Sequence, residues 1–533
     1  MKNMLLSKMK TKLFSILLII LFSHIGKSQI VFQKTYGGTD NDYGTSVHQT
    51  TDGGYIITGS TWSYGPGIEA IYLIKTNSTG DTLWTKVFGG AIGSGGLESV
   101  IQTSDGGYII GSGTRSFGAG LQDVYLIKLD SNGNIQWTKT FGGPNPDVCV
   151  SIKQTTDGGF ALLGWTQSFG AGNSDIYFIK TDASGNDIWR KTYGGVNFDI
   201  GTSMQQTSDG GYIISARTNS FGAGNMDAYL IKTNSLGDTL WTKTYGGLNI
   251  DAATFVQQTT DDGYIISGYT ESFGAGLNDS YLIKTDSIGN EVWSKTYGGT
   301  NNDALYTVQQ TINNEYICVG YTQSFGGGMS DGYLLKINSL GDTLLTQTFG
   351  GANNENSYFV EQTTDDGFII TGQMTISGFQ DVYLIKTDSL GNSFCNNQYS
   401  TNTITGNPAT ISSSTPTQIL SPIGSSGTTA TIVSIGANVN SPCLSVGIYE
   451  TKKNIEPTIL PNPFSNSTII QFNQHIKEAS LNLFNVTGEK VKTINFSGNS
   501  IKIERGHLSQ GIYYYEIIQE NGNLFNGKLM IVD

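Results

Sequence analysis

Histidine, cysteine and charge are all scarce in this chain. It holds 4 His and 4 Cys among 533 residues, and Asp, Glu, Lys and Arg together make up only 14%. No CxxC pair or His/Cys cluster exists, so a structural zinc site has no carrier. HExxH, GxSxG and phosphate-loop patterns are missing too, which removes the usual carriers of metalloprotease, esterase and nucleotide chemistry. Long apolar runs are confined to "LFSILLIILFS" (Leu13 to Ser23). Eleven residues are too few to span a bilayer, and no later segment is better, so no transmembrane segment is expected. Basic residues are few as well. From Gln29 to Phe394 there are 17 Lys and Arg against 35 Asp and Glu. Such a surface repels nucleic acid and anionic lipid, attracts cations or basic partners, and keeps a protein soluble outside the cell.

The chain begins with a basic stretch (Lys2, Lys8, Lys10, Lys12), then the apolar run, then the small residues Gly26 and Ser28. This reads as a secretory signal peptide over 1–28, cleaved between Ser28 and Gln29. No Cys follows the cut, which argues against a lipid anchor. Cys149 and Cys318 lie in apolar strand patterns and read as buried thiols. Cys395 and Cys443 flank a Ser/Thr-rich stretch of an exported chain, and a disulfide between them is expected.

Glycine is abundant, 70 residues of 533, without the Gly-X-Y period of collagen. Its distribution follows a repeat. "DGGYIITGS" at Asp52 returns at Asp105, Asp157, Asp209 and Asp261, with weaker copies at Asn313 and Asp365. Each unit reads as four short strands joined by Gly turns, which is the blade of a β-propeller. The chain enters the repeats on "QIVFQKTYGG", a fourth strand, and the seventh unit lacks its own. An all-β, seven-bladed propeller over 29–394 is therefore expected, with the N-terminal strand completing the last blade in a shared (velcro) closure. The recurring Trp (Trp84, Trp137, Trp189, Trp241, Trp293), the third-strand Lys and the Phe of "SFGAG" read as packing and pairing residues.

Residues 395–457 read as a Ser/Thr-rich spacer or small β-element. From 458 to 533 the alternation suggests a small β-sandwich. Four motifs stand in order there: Pro461-Asn462-Pro463-Phe464, the stretch around Thr487-Gly488, Gly511-Ile512-Tyr513, and Gly527 to Val532. This segment resembles the type A C-terminal sorting domain of cargo exported by the type IX secretion system of Bacteroidetes. The resemblance implies export across both membranes, recognition by the type IX machinery, and removal of the domain by a surface peptidase. The mature protein would then be secreted or held at the outer-membrane surface. The Gly-rich units also resemble propeller repeats of such cargo, a likeness that carries a fold and no settled activity.

The ring holds one His, His48, at a column read as Gln102, Lys153, Gln205, Gln257, Gln309 and Glu361 in the other units; it reads as a polar variant. An acidic column follows "YGG": Asp42, Asp147, Asp199, Asp251, Asp303 and Glu355, with Ser94 in the second unit. These residues fall where one blade hands over to the next, near one mouth of the central channel. They read first as turn caps. If the column binds anything, a divalent cation such as Ca2+ or a basic ligand is expected. Two functions follow. The first is a non-catalytic binding or scaffold propeller for an unknown glycan, peptide or protein ligand. The alternative is a secreted hydrolase or lyase acting on glycans through mouth carboxylates. Repetition favours the first, because an active site needs the symmetry broken. No residue is singled out as catalytic.

Overall fold

The computed structural model describes residues 29–96, 98–393, 462–485, 490–519 and 522–532, with short backbone runs at 397–399, 410–411, 419–420, 431–433, 438–446 and 458–460. Ser28, Cys395, Pro461 and Gly488 lie outside the described residues, so the signal-peptide and disulfide expectations do as well. The chain divides into two compact units, Met1–Gly447 and Ile448–Asp533.

The first unit is a seven-bladed propeller. Blade 3 shows how the repeat makes a blade. Its strands Asp147–Gln154, Phe160–Thr166, Asp175–Thr181 and Asp187–Tyr193 pair antiparallel in chain order. The "DGG" hairpin turns on Gly158, whose φ of +82° suits glycine. In blades 5, 6 and 7 that position is Asp262, Asn314 and Asp366, residue types that tolerate the left-handed region. The turn Asp accepts from a backbone N–H, Gly159 N to Asp157 Oδ1 at 3.0 Å, and pairs with the third-strand lysine, Lys180 to Asp157 at 2.9 Å. The same pair recurs in every blade, with Glu315 replacing Asp in blade 6.

Apolar side chains fill the wedges between blades. The core that joins blades 5 and 6, for example, draws Ile265, Leu282 and Tyr297 from one and Leu305, Tyr316 and Leu335 from the other. Each fourth-strand Trp lies against an aromatic of the next blade, as Trp84 does on Tyr108 at 6.0 Å between centroids. The Phe of "SFGAG" packs within its own blade, as Phe117 does on Tyr125. A belt of glutamines links blades on the "DGG" side: each side-chain carbonyl accepts from a backbone N–H of the preceding blade's turn, from Thr51 to Gln102 at 2.9 Å through to Ile312 to Gln362 at 3.0 Å.

The belt closes between blades 7 and 1, where Thr364 N donates to Gln49. The N-terminal strand Ile30–Gly37 pairs antiparallel with Phe379–Thr387 as the fourth strand of blade 7. Lys34 then reaches Asp81 of blade 1 at 2.5 Å, and the Tyr36 hydroxyl donates to Gly80 O. Short strands from beyond residue 396 add to the outer edges. Asn397–Tyr399 pairs with blade 6, Thr410–Ile411 with blade 4, Ile419–Leu420 with blade 3, Thr431–Val433 with blade 1, and Asn438–Val446 with the closing strand of blade 7.

In the second unit, the long strand Ser467–Phe484 is shared by the whole sheet. Its first part pairs with Thr458–Leu460, its second with Gly511–Gln519, and Lys490–Glu504 runs beside both. Register irregularities between Gln471 and Ala479 let the sheet bend around one core of Phe464, Ile470, Phe472, Leu481, Ile503, Tyr515 and their neighbours.

Candidate functional site

The acidic column is built into the blade junctions. Asp147 is fully buried, and its Oδ2 accepts from Gly143 N at 2.7 Å and from the Ser168 hydroxyl at 2.7 Å. Asp42, Asp199, Asp251 and Asp303 repeat both bonds, and Glu355 accepts from Gly351 N at 2.9 Å. Thr218 and Thr270 donate to the second oxygens of Asp199 and Asp251. Ser94, in blade 2, bonds Thr114 instead. Across a glycine from each acid sits a second one. A Cβ on Gly194 would fall 2.2 Å from Asp175 Oδ1 and 2.8 Å from Asp199 Oδ2, so only glycine fits between them. Burial, reinforced by the neighbouring charge, pushes Asp175, Asp227 and Asp381 up to about 6. Among the described residues no three His, Cys, Asp or Glu side chains come together in an arrangement that could hold a metal ion.

The "DGG" end of the channel holds a cavity of about 280 Å³ that includes His48, Lys153 and Glu361. His48 pairs with Glu361 through Nδ1 and lies edge-on to Phe359. Gln205, Gln257 and Gln309 use their side-chain carbonyls to accept from the next blade's inner strand. In blade 2 the register places Ile101, not Gln102, at this column: Ile101 pairs with Ile109 as His48 pairs with Ile56. This end is therefore a set of interblade clamps. Cys149 and Cys318 are buried free thiols; burial pushes Cys149 up to about 12, which leaves it inert as a nucleophile.

The other end is different, and reading the repeats alone did not single it out. A cavity of about 540 Å³ opens inside the inner strands. In six blades the first strand carries a β-bulge, and the skipped residue is Thr45, Val150, Thr202, Thr254, Tyr306 or Tyr358. All six line the cavity. A bulge re-aims a side chain, and here it turns one residue per blade toward the axis. A second column stands beside it, just before the Thr that ends the second strand in six blades: Ser60, Gly113, Trp165, Arg217, Tyr269, Tyr321 and Gln373. The flanking Thr is constant in blades 1 to 6, while no residue in this column recurs except Tyr. Aligning the units on "DGG" and asking which columns vary would have found both.

Tyr306 lies 5.2 Å from Tyr358 and 5.9 Å from Tyr321 between ring centroids, and Tyr43 meets Trp62 at 5.3 Å. Burial, then the neighbouring phenols, raises Tyr306 well above the usual tyrosine range, so these rings stay neutral. Arg217 is half-buried; its Nε is enclosed without a hydrogen-bond partner, and its guanidinium has no ion-pair partner among the described residues. On the opposite wall Ser60 Oγ stands 3.0 Å from Glu69 Oε1 and 2.7 Å from Glu98 Oε1. One hydroxyl has one proton to give, so one of these contacts needs a protonated carboxyl. Glu98 is that group: burial pushes it up to about 8. Glu69 pairs with Arg115 at 3.5 Å. Glu98 is the only carboxylate among the residues lining this cavity.

In the second unit the sorting motifs converge on the last strand. Phe464 is buried; its N–H donates to Met530 O at 3.0 Å, and its carbonyl accepts from Val532 N at 2.9 Å. Asn462 Oδ1 accepts from Met530 N at 2.8 Å. On the strand's other side Gly511 pairs with Ile531, Tyr513 with Leu529, and Gly527 with Tyr515. Residues separated by half the domain thus clamp the C-terminal strand from both edges.

Residues 458–532 match the family described as the secretion system C-terminal sorting domain, and the chain thus carries the sorting tail of type IX cargo. The regulatory protein FlaEY of Caulobacter vibrioides is 24% identical over 174 residues, 30% of this chain and 17% of that protein. PorZ, a surface component of the type IX system of Porphyromonas gingivalis, aligns with a TM-score of 0.37 at 11% identity, over 93% of this chain and 60% of that one. A fungal alcohol oxidase aligns with a TM-score of 0.39 at 10% identity, over 95% and 100%. Among the described residues no helix is long and apolar enough to cross a membrane.

Proposed function

We propose that this protein is a surface or secreted binding propeller, delivered by the type IX route, whose ligand enters the channel mouth beside Tyr306, Tyr358 and Arg217. One observation carries this reading. Units that keep their turn, pairing and packing residues nearly constant vary in the bulge column that lines that cavity, and Arg217 and Gln373 join the lining from the neighbouring column. Structural constraint is shared by all blades; only a ligand on the axis asks each blade for something different. The hydrolase alternative draws no support from the cavity, because paired carboxylates are the usual requirement and Glu98 stands alone in its lining. The signal peptide over 1–28 would carry the chain to the periplasm, and a surface peptidase would remove the sorting domain after export.

The test is a glycan and peptide array probed with the full chain and with a Tyr306→Ala/Tyr358→Ala variant. Binding by the parent that the variant loses, with unchanged melting, supports the mouth. Ligands held equally by both place the site elsewhere and refute this reading.

A further inference from the structure

Resting on that reading, we infer that the ligand is a carboxylate-bearing sugar, an acidic pyranose whose ring stacks on the Tyr306–Tyr358 pair while its carboxylate is gripped by Arg217.

The cavity's size, about 540 Å³, suits the end of an oligosaccharide rather than a folded protein. Its walls combine neutral tyrosine faces with short hydroxyls at Thr45, Thr202 and Thr254. Sugar rings present both surfaces, apolar C–H faces and a rim of hydroxyls, and tyrosine serves each with little loss of side-chain freedom. Charge then narrows the class. A guanidinium taken partly out of water with no counter-ion is costly to hold, and its rigid fork matches a carboxylate with two parallel hydrogen bonds. Arg217 is such a group. The opposite wall does not cancel it. The Ser60 hydroxyl lies between two carboxyls that must share a proton, and of the two Glu69 already has Arg115 while Glu98 is buried without an ion pair among the described residues. Deeper along the axis Lys153 shares its cavity with Glu361 and burial lowers its pKa, so Arg217 remains the group that would grip an anion. The ring's overall negative charge opposes an anion at long range. Surface charges, however, are screened beyond about 8 Å at physiological salt, whereas the contact with Arg217 is made inside the channel.

The experiment uses the full chain in calorimetric titrations. The probes are oligosaccharides ending in galacturonate, glucuronate or N-acetylneuraminate, each paired with its carboxylate methyl ester, together with an acidic peptide. At least one acid should bind tenfold or more tighter than its ester. Arg217→Gln should erase that difference by weakening the acid while leaving the ester unchanged, and Arg217→Lys should restore part of it. Tyr306→Ala/Tyr358→Ala should weaken acid and ester alike. Melting curves establish that each variant is folded. Equal binding of acid and ester, or an acid preference that survives Arg217→Gln, overturns the charge assignment and leaves mouth binding standing if the tyrosine variant still loses affinity. Binding of the peptide but no sugar, at the same residues, overturns the sugar class. No probe bound at all overturns the inference, and only the wider array then decides the binding reading itself.

Discussion

Single residues in this ring carry most of their energy through partners one blade or one turn away. The third-strand lysines show the asymmetry best. Lys180 is nearly buried while Asp157 is largely exposed. Against the burial that would raise it, the Thr155 hydroxyl and the Lys180 ammonium hold Asp157 down to about 2. Removing the acid strands a buried cation, whereas removing the cation leaves a solvated carboxylate. Asp157→Ala should thus cost about 2 kcal/mol in denaturant unfolding, and Lys180→Met clearly less; equal losses would contradict this account. The buried acid pairs predict the opposite behaviour. Asp175 and Asp227 have raised folded-state values of about 6. A carboxylate whose folded value is raised binds its proton more tightly in the native state. Its contribution is therefore fully present below about pH 4 and lost as pH climbs to 6. The protein should melt higher at pH 5 than at pH 7.5. Asp175→Asn, which keeps an acceptor for Gly172 N, should raise stability at pH 7.5 by of order 1 kcal/mol and flatten the profile. A parent whose melting temperature is unchanged between the two pH values would show that the pairs are not strained.

At the scale of elements, closure depends on one strand. Ile30–Gly37 completes blade 7 and carries Lys34 and Tyr36 onto blade 1. Its loss opens a sheet edge and a blade junction together. Deleting 29–38 should lower the melting temperature by 10 °C or more on the usual scaling of several kcal/mol to a shift of that order; a truncated ring melting with the parent would mean that the closing strand is dispensable. The bulged inner strands are the other decisive elements. Without the extra residue in Glu355–Gln362, Tyr358 would follow the pleat instead of facing the axis.

Across the whole molecule, binding and address are separate tasks. The sorting unit has its own core and grips its last strand between Asn462–Phe464 and Gly511–Tyr513. Deleting 458–533 should leave the ring folded but retained in the periplasm, as cell fractionation would show; surface delivery of that truncation would remove the address assignment. Transfer of the same segment to a foreign exported protein should bring it to the surface in a host with the type IX machinery.

The period of 52–53 residues, the missing fourth strand of the last unit and the four C-terminal motifs made the propeller, its closure and its export tail legible in the sequence. These are local or additive features: a turn needs its glycine, a strand its alternation, and a ring its count. The role of the acidic column was only half legible. Spacing placed Asp147 and its counterparts at the blade junctions, but only the packed structure shows their carboxylates turned onto Gly143 N and Ser168. The mouth was legible only as columns that vary between units, not as a site. Tyr306, Tyr358 and Arg217 are far apart along the chain, and they read as ordinary strand residues until the bulges and the circular closure bring them to one axis. Which side chains face one another across a channel is decided by tertiary packing, because that packing alone fixes the direction of each inner strand.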